Sequence, residues 1–195
     1  MWWKKYEDFI FEYVQTNIIE NMRKGNTIPS IKDIVFPDSK CQQSICIKLG
    51  NANEKALNFI LKERNIFHQI SKEEYKHIKA ITKKRTQIDL SFCIKGKKYY
   101  RETKLNANLD TEKAFATANK IRKMNELGYD GKLLIMNCFN ATEAIEMGKI
   151  KKQLAQYAEG YNDFFKLIVD ENVSKNMFLK TWKYVGNMIK NIGTT

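Results

Sequence analysis

A chain of 195 residues, 43% hydrophobic and 29% charged, is long enough to bury one core and short for two full-sized domains. Its net charge of +12 excludes an acid-rich binder and implies attraction to a polyanion, either nucleic acid or an anionic membrane surface. Four cysteines without a CxxC pair and two histidines without partner spacing argue against zinc and iron–sulfur frameworks.

Lysine and asparagine are also what AT-rich coding inflates, so the charge fits nucleic-acid binding without requiring it. Arginine occurs only at positions 23, 64, 85, 101 and 122. The opening MWWKKYEDFIF carries charge too early for a signal peptide, and no apolar run approaches membrane-spanning length. A cytoplasmic protein with reduced thiols and no membrane partner is the expectation.

Residues 2–23 predict a helix, because Trp2, Trp3, Tyr6, Ile10, Val14 and Ile18 recur as one apolar stripe. Such a stripe serves the core or a partner surface. Gly25-Asn26 ends it, and Pro29 and Pro37 bracket an irregular segment. Cys41 to Leu49 alternates too weakly to assign. NANEKALNFILKER (51–64) predicts a helix capped by Asn51 or Asn53, with Ala56, Leu57, Phe59, Ile60 and Leu61 on its buried side. Glu54 falls in its first turn, where a carboxylate complements the helix dipole. Ile66 to Ile70 reads as a short strand. The stretch 71–86 is basic and polar. Its Lys76, Lys79, Lys83, Lys84 and Arg85 fit phosphate contacts, and a solvated surface helix fits them equally. His68 and His77 read as structural or surface positions.

Arg85 to Leu105, RTQIDLSFCIKGKKYYRETKL, predicts two strands joined at Gly96-Lys97, since Gly at the first central position suits a type II′ turn. That turn sets Lys95 opposite Lys98, Ser91 opposite Glu102 and Asp89 opposite Lys104. Alternation then puts Asp89, Ser91, Cys93, Tyr100, Glu102 and Lys104 on one face. Ile88, Leu90, Phe92, Ile94, Tyr99 and Leu105 lie on the other, with Arg101 and Thr103 as its polar members. Diagonal cross-strand neighbours are roughly 7–8 Å apart, so Asp89 and Glu102 come within reach of one hard cation such as Mg²⁺. A cross-strand salt bridge on a solvated hairpin is the plainer reading of the same three charges.

Asn106 to Leu109 then makes a loop and 110–127 a helix, burying Ala114, Phe115, Ala118 and Ile121, with Lys113, Lys120 and Lys123 on another side. Gly128 stops it. GKLLIMNCF (131–139) reads as a strand buried on both faces and reached by a helical crossover. Residues 142–159 predict a helix carrying Met147, Ile150, Leu154 and Tyr157, and 164–169 an edge strand. In the last helix Phe178, Trp182, Val185, Ile189 and Ile192 follow a heptad seam, which suits a homodimer interface or the protein's own core.

Ile88-Asp89 followed across the hairpin by Glu102-Thr103-Lys104 resembles the PD-(D/E)xK nuclease signature of many type II restriction endonucleases and repair nucleases, with Ile88 where the family name has proline. The resemblance implies an α/β domain with the restriction-endonuclease-like fold, a mixed central β-sheet flanked by helices. Residues 1–195 would form one nuclease domain: a helical decoration (1–49), a catalytic core (50–140) and C-terminal helices (141–195). It implies Mg²⁺, for which Mn²⁺ would substitute, bound by Asp89 and Glu102 with a backbone carbonyl near Thr103. Lys104 would position the attacking water, Glu54 would act through water, and Lys120 would reach the site from the following helix. Lys83, Lys84, Arg85, Lys113 and Lys120 would face double-stranded DNA. The expected activity is a Mg²⁺-dependent, site-specific type II endonuclease. A Holliday-junction resolvase or repair nuclease is the near alternative. Outside that class stand a non-catalytic basic nucleic-acid-binding protein and, third, a helical partner-binding protein.

Overall fold

The computed structural model describes residues 1–20, 37–82, 88–105, 109–146 and 152–190. The chain divides into two compact units, Met1–Leu57 with Lys175–Thr195, and Asn58–Ser174.

In the first unit the aromatic stripe folds as expected. α1 (Trp2–Val14) runs into a π-helical turn, Gln15–Ile19, burying Trp3, Tyr6, Ile10, Val14 and Ile18, while Trp2 is half-buried. α2 (Pro37–Glu63), which belongs to this unit up to Leu57 and to the second from Asn58, begins well before residue 51, so the Cys41–Leu49 stretch is helical too. Asn51 and Asn53 are therefore interior positions, not caps. Asn53 is buried and accepts the Tyr6 hydroxyl at 2.7 Å. The last helix (Lys175–Lys190) turns part of its seam onto α1. Phe178 lies 6.4 Å from Trp3, and Thr181 accepts the Trp3 indole N–H at 3.2 Å.

The second unit is an α/β sandwich around a four-stranded mixed sheet. α3 (Lys72–Thr82) starts with a reciprocal cap: the Glu74 amide donates to the Ser71 hydroxyl, and the Glu74 carboxylate accepts the Ser71 amide. β1 (Leu90–Ile94), β2 (Lys97–Lys104), β3 (Asp130–Ile135) and β4 (Ala158–Gly160) lie in that order. β1 and β2 are antiparallel, and the remaining neighbours are parallel. α4 (Thr111–Glu126), capped by Asp110, makes the crossover from β2 to β3, the connection that parallel neighbours require. α5 (Ala141–Glu146) and α6 (Lys152–Ala155) precede β4, and α7 (Tyr161–Val169) follows it.

Ile121 and Met124 of α4 join Tyr100, Leu133 and Ile135 in the core on one sheet face. The approach is close: a Cβ on Gly131 would meet the Asn125 side chain at 2.7 Å and the Ile121 carbonyl at 3.2 Å. On the other face Phe164 of α7 meets Phe92 edge-on at 5.8 Å.

Several expectations are corrected. The hairpin turns at Lys95-Gly96, pairing Ile94 with Lys97 and Ser91 with Tyr100. Both turn residues have positive φ, 49° and 80°, the type I′ arrangement, not II′. This register removes the Lys95–Lys98 like-charge pair and stacks Phe92 on Tyr99 at 5.0 Å. A shift of two residues leaves each side chain on its predicted face. Ile66–Ile70 provides an isolated bridge, Phe67 to Phe92, instead of a strand. β3 ends at Ile135, and the predicted 142–159 helix gives way to β4. Residues 164–169 are helical: Tyr161, Phe164, Phe165 and Ile168 are the buried positions, a 3.6-residue period that a short apolar run conceals. Phe115 is 63% exposed, and Thr117 and Met124 take the buried side of α4 instead.

Candidate functional site

Alternation along β2 points Tyr100, Glu102 and Lys104 to the face that α4 covers. Asp89 sits one residue before β1. Continuing the ladder from Leu90–Arg101 sets it opposite Glu102, closer than the diagonal placement expected. Its Oδ2 accepts the Thr103 amide at 2.9 Å and the Thr103 hydroxyl at 3.3 Å. Its backbone carbonyl accepts Nδ2 of Asn58 at 3.0 Å. The acid is thus held at main chain and side chain together.

Glu102 is surrounded by donors. Lys104 Nζ donates to Oε1 at 2.8 Å, Lys120 Nζ to Oε2 at 2.6 Å, and the buried Tyr100 hydroxyl also donates to Oε2. Lys120 lies 3.9 Å from Asp89 Oδ1, so one ammonium spans the two acids. Its Nζ sits 5.5 Å from the centre of the Tyr100 ring. The side chains of Glu102 and Asp89 are 9% and 11% exposed, against 31% for Lys104.

The two carboxyls differ electrostatically. Burial alone would push Glu102 up, but the charges of Lys120 and Lys104 outweigh it and hold the group well below the usual carboxylate range. Burial, followed by the neighbouring Glu102 charge, raises Asp89.

Two adjacent carboxylate groups match the donor set of a hard divalent cation, which takes oxygen ligands and commonly keeps waters. The bridging Lys120 ammonium shows that the gap between them accepts a positive charge. Among the described residues no group of three or more His, Cys, Asp or Glu side chains gathers to hold a metal. The protein ligands here would be these two acids, with water or substrate oxygens completing the shell.

Of the residues singled out from sequence, Asp89, Glu102, Thr103, Lys104 and Lys120 come together. What Thr103 brings is its amide and hydroxyl, both donors. Glu54 is half-buried and lies mid-helix on α2 instead of in a first turn. Lys113 is 74% exposed and pairs with Asp110 at 2.8 Å. Lys83, Lys84 and Arg85 lie outside the described residues. His77 is exposed, and His68 faces Glu74 at 3.3 Å.

Sequence reasoning passed over Tyr100 and Asn58. Tyr100 had a signal, being two residues before Glu102 on the same face. Asn58 had none, because its role depends on how α2 meets β1.

A hollow of about 450 Å³ opens at the opposite end of β2 and β3, with Lys97, Tyr129, Asp130 and Lys132 in its wall. Its charges are already matched, Lys97 to Asp130 at 2.5 Å and Lys132 to Glu159 at 3.7 Å, and it has no paired carboxylates. The paired carboxylates lie at the Asp89–Glu102 end.

No family model, no curated protein and no solved structure matches the chain. Among the described residues no helix is long and apolar enough to cross a membrane.

Proposed function

We propose that this chain is a Mg²⁺-dependent endonuclease that hydrolyses phosphodiester bonds in double-stranded DNA, of the PD-(D/E)xK kind and closest in design to a type II restriction enzyme. The observation that carries the reading is the cluster itself. Asp89 and Glu102 stand together at the C-terminal end of β2, flanked by Lys104 and Lys120. The element order agrees with it. A helix, an extended bridge, an antiparallel strand pair, a crossover helix and a parallel strand occur in the order of the restriction-endonuclease-like core, with α3 added between the bridge and the strand pair. The net charge of +12 suits a polyanionic substrate.

Asp89 and Glu102 would hold the ion, which when bound supplies Lewis acidity toward a phosphoryl oxygen and a lowered pKa for water. Tyr100 and Lys104 fix the Glu102 carboxylate from opposite oxygens, so its geometry is set before substrate arrives. Lys104, the more exposed amine, orients the attacking water and offsets charge gathering on the phosphate. Hydrolysis adds the hydroxyl of water to phosphorus, breaks one P–O ester bond and delivers the proton to the leaving oxygen. A homodimer would let two such sites cut both strands of a two-fold symmetric target.

The balance of two acids by two amines also favours a second reading, a non-catalytic basic nucleic-acid-binding protein in which the four charges are a structural ion-pair network.

Incubating the purified protein with plasmid, linear DNA and branched DNA in Mg²⁺ or Mn²⁺ separates these. Discrete linear fragments with defined ends support the restriction reading, and selective cutting of the branched DNA supports a resolvase. Salt-sensitive binding without any strand cleavage in either metal would leave only the structural network.

A further inference from the structure

We infer that Lys120 is a tethered cation competing with the divalent metal for the gap between Asp89 and Glu102, and that a DNA phosphate relieves the competition, so that metal and DNA bind as a coupled pair. The inference rests on the metal-dependent reading above and specifies how that site is regulated.

Lys120 Nζ engages Glu102 Oε2 at 2.6 Å and faces Asp89 Oδ1 at 3.9 Å, so one ammonium lies against both acids. Lys104 occupies the other Glu102 oxygen at 2.8 Å. Each oxygen of Glu102 therefore already faces an ammonium. A divalent ion bridging the acids must take the contacts Lys120 holds. The side chain can yield them, because a lysine is a point charge on a flexible four-carbon stem.

Charge balance supplies the coupling. Asp89, Glu102, Lys104 and Lys120 sum to zero, so a divalent ion entering alone leaves an uncompensated double positive charge among partly buried groups. Such an excess is strongly unfavourable at low effective dielectric. A phosphodiester brings a negative charge to the same place and gives the displaced ammonium a new partner. Free protein accordingly binds metal weakly. DNA strengthens that binding, and metal strengthens DNA binding by the same factor.

The test is calorimetric titration of Mg²⁺ into free protein, wild type against Lys120→Gln, Lys120→Arg and Lys166→Gln, repeated with a DNA duplex present. Lys120→Gln is expected to bind Mg²⁺ at least about tenfold more tightly than wild type without DNA, and to show a smaller gain from DNA. Lys120→Arg keeps the charge and should show no gain in Mg²⁺ affinity over wild type. Lys166→Gln removes a charge at an exposed position on α7 and should stay within about twofold of wild type. Equal or weaker Mg²⁺ binding by Lys120→Gln, or an equal gain in Lys166→Gln, overturns the inference while leaving a metal nuclease in place. No Mg²⁺ binding by any of the proteins, with or without DNA, overturns both. If Lys120→Gln folds only when Mg²⁺ is added, that rescue supports the competition, and a chain that Mg²⁺ fails to rescue counts against it.

Discussion

The carboxylate of Asp89 completes the sheet beyond the end of β1: its Oδ2 accepts the Thr103 amide at 2.9 Å, where a longer strand would have offered a carbonyl. One residue thus closes a backbone hydrogen bond and presents its other oxygen to Glu102 and Lys120. The two roles separate by mutation. Asp89→Asn keeps an acceptor for Thr103 and loses the charge, so it should fold near wild-type stability yet need more Mg²⁺ for cleavage or lose turnover. Asp89→Ala loses both, and should also lower unfolding free energy by about 1–3 kcal/mol through the unsatisfied Thr103 amide. Urea denaturation alongside Mg²⁺ titration of plasmid cleavage checks this, and an unchanged metal requirement in Asp89→Asn removes Asp89 as a ligand.

Glu102 and Lys104 carry a different expectation, since their side chains hold each other at 2.8 Å. Glu102→Gln and Lys104→Ala should each abolish cleavage while leaving salt-sensitive DNA binding largely intact. Tyr100→Phe removes the buried hydroxyl under Glu102 and should slow cleavage without stopping it, because both lysines still hold the carboxylate. Cleavage assays paired with filter binding test the set. Retained cleavage in both Glu102→Gln and Lys104→Ala means the catalytic assignment is wrong.

The face of the hairpin that carries Asp89, Glu102 and Lys104 was legible because strand alternation survives a two-residue error in register. The turn was not, because Lys95 adopts a positive φ of 49° that propensity assigns to glycine, and what favours it lies across the strands, in the Phe92–Tyr99 stack and the separation of Lys95 from Lys98. Lys120 was recoverable from its place on the crossover helix, as was the helical stripe from Trp3 to Ile18. Helix starts were less so: α2 begins at Pro37, upstream of both asparagines that look like caps. Short apolar runs were the other blind spot. Phe164 to Val169 suits a strand by composition and a helix by period, and contact with Phe92 decides it. Asn58 illustrates the limit, since nothing local to a helix says which backbone its amide will meet.

Behind the site, Arg101 reaches from β2 across β3 to Glu159 on β4, with contacts of 2.5 and 3.0 Å, and both side chains are almost fully buried. Arg101 also donates to the carbonyls of Tyr100 and Asp130 and lies over the rings of Phe92 and Tyr99. A buried ion pair contributes little net stability over an apolar pair, yet removing one partner leaves the other charge unmatched. Arg101 keeps the Asp130 carboxylate at 3.5 Å, so Glu159→Gln should cost less than the about 3–5 kcal/mol of a fully unmatched buried charge, and the double change Arg101→Met with Glu159→Leu should cost less than the sum of the two single ones. Chemical denaturation of the three variants checks this. A double variant as unstable as the sum of the singles would mean that the two residues act independently.

Glu74 gives the fold an acid limit of its own. Burial would raise its pKa, but hydrogen bonds from Lys98, the Ser71 amide and His68 outweigh this and bring it down from 4.5 to about 2. Tyr129 also donates to it at 3.2 Å. A carboxyl with a folded pKa below its unfolded one stabilises the native state fully above the unfolded value, and loses that contribution as pH falls through the folded one. The window here runs from about 4.5 down to about 2. The side chain is 25% exposed, so screening trims the effect. Thermal denaturation of wild type and Glu74→Gln should show a stability gap that closes as pH falls from about 4.5 toward 2. A gap that persists undiminished at the acid end would show that the Glu74 contacts do not depend on its charge, and would move the acid limit to another carboxylate.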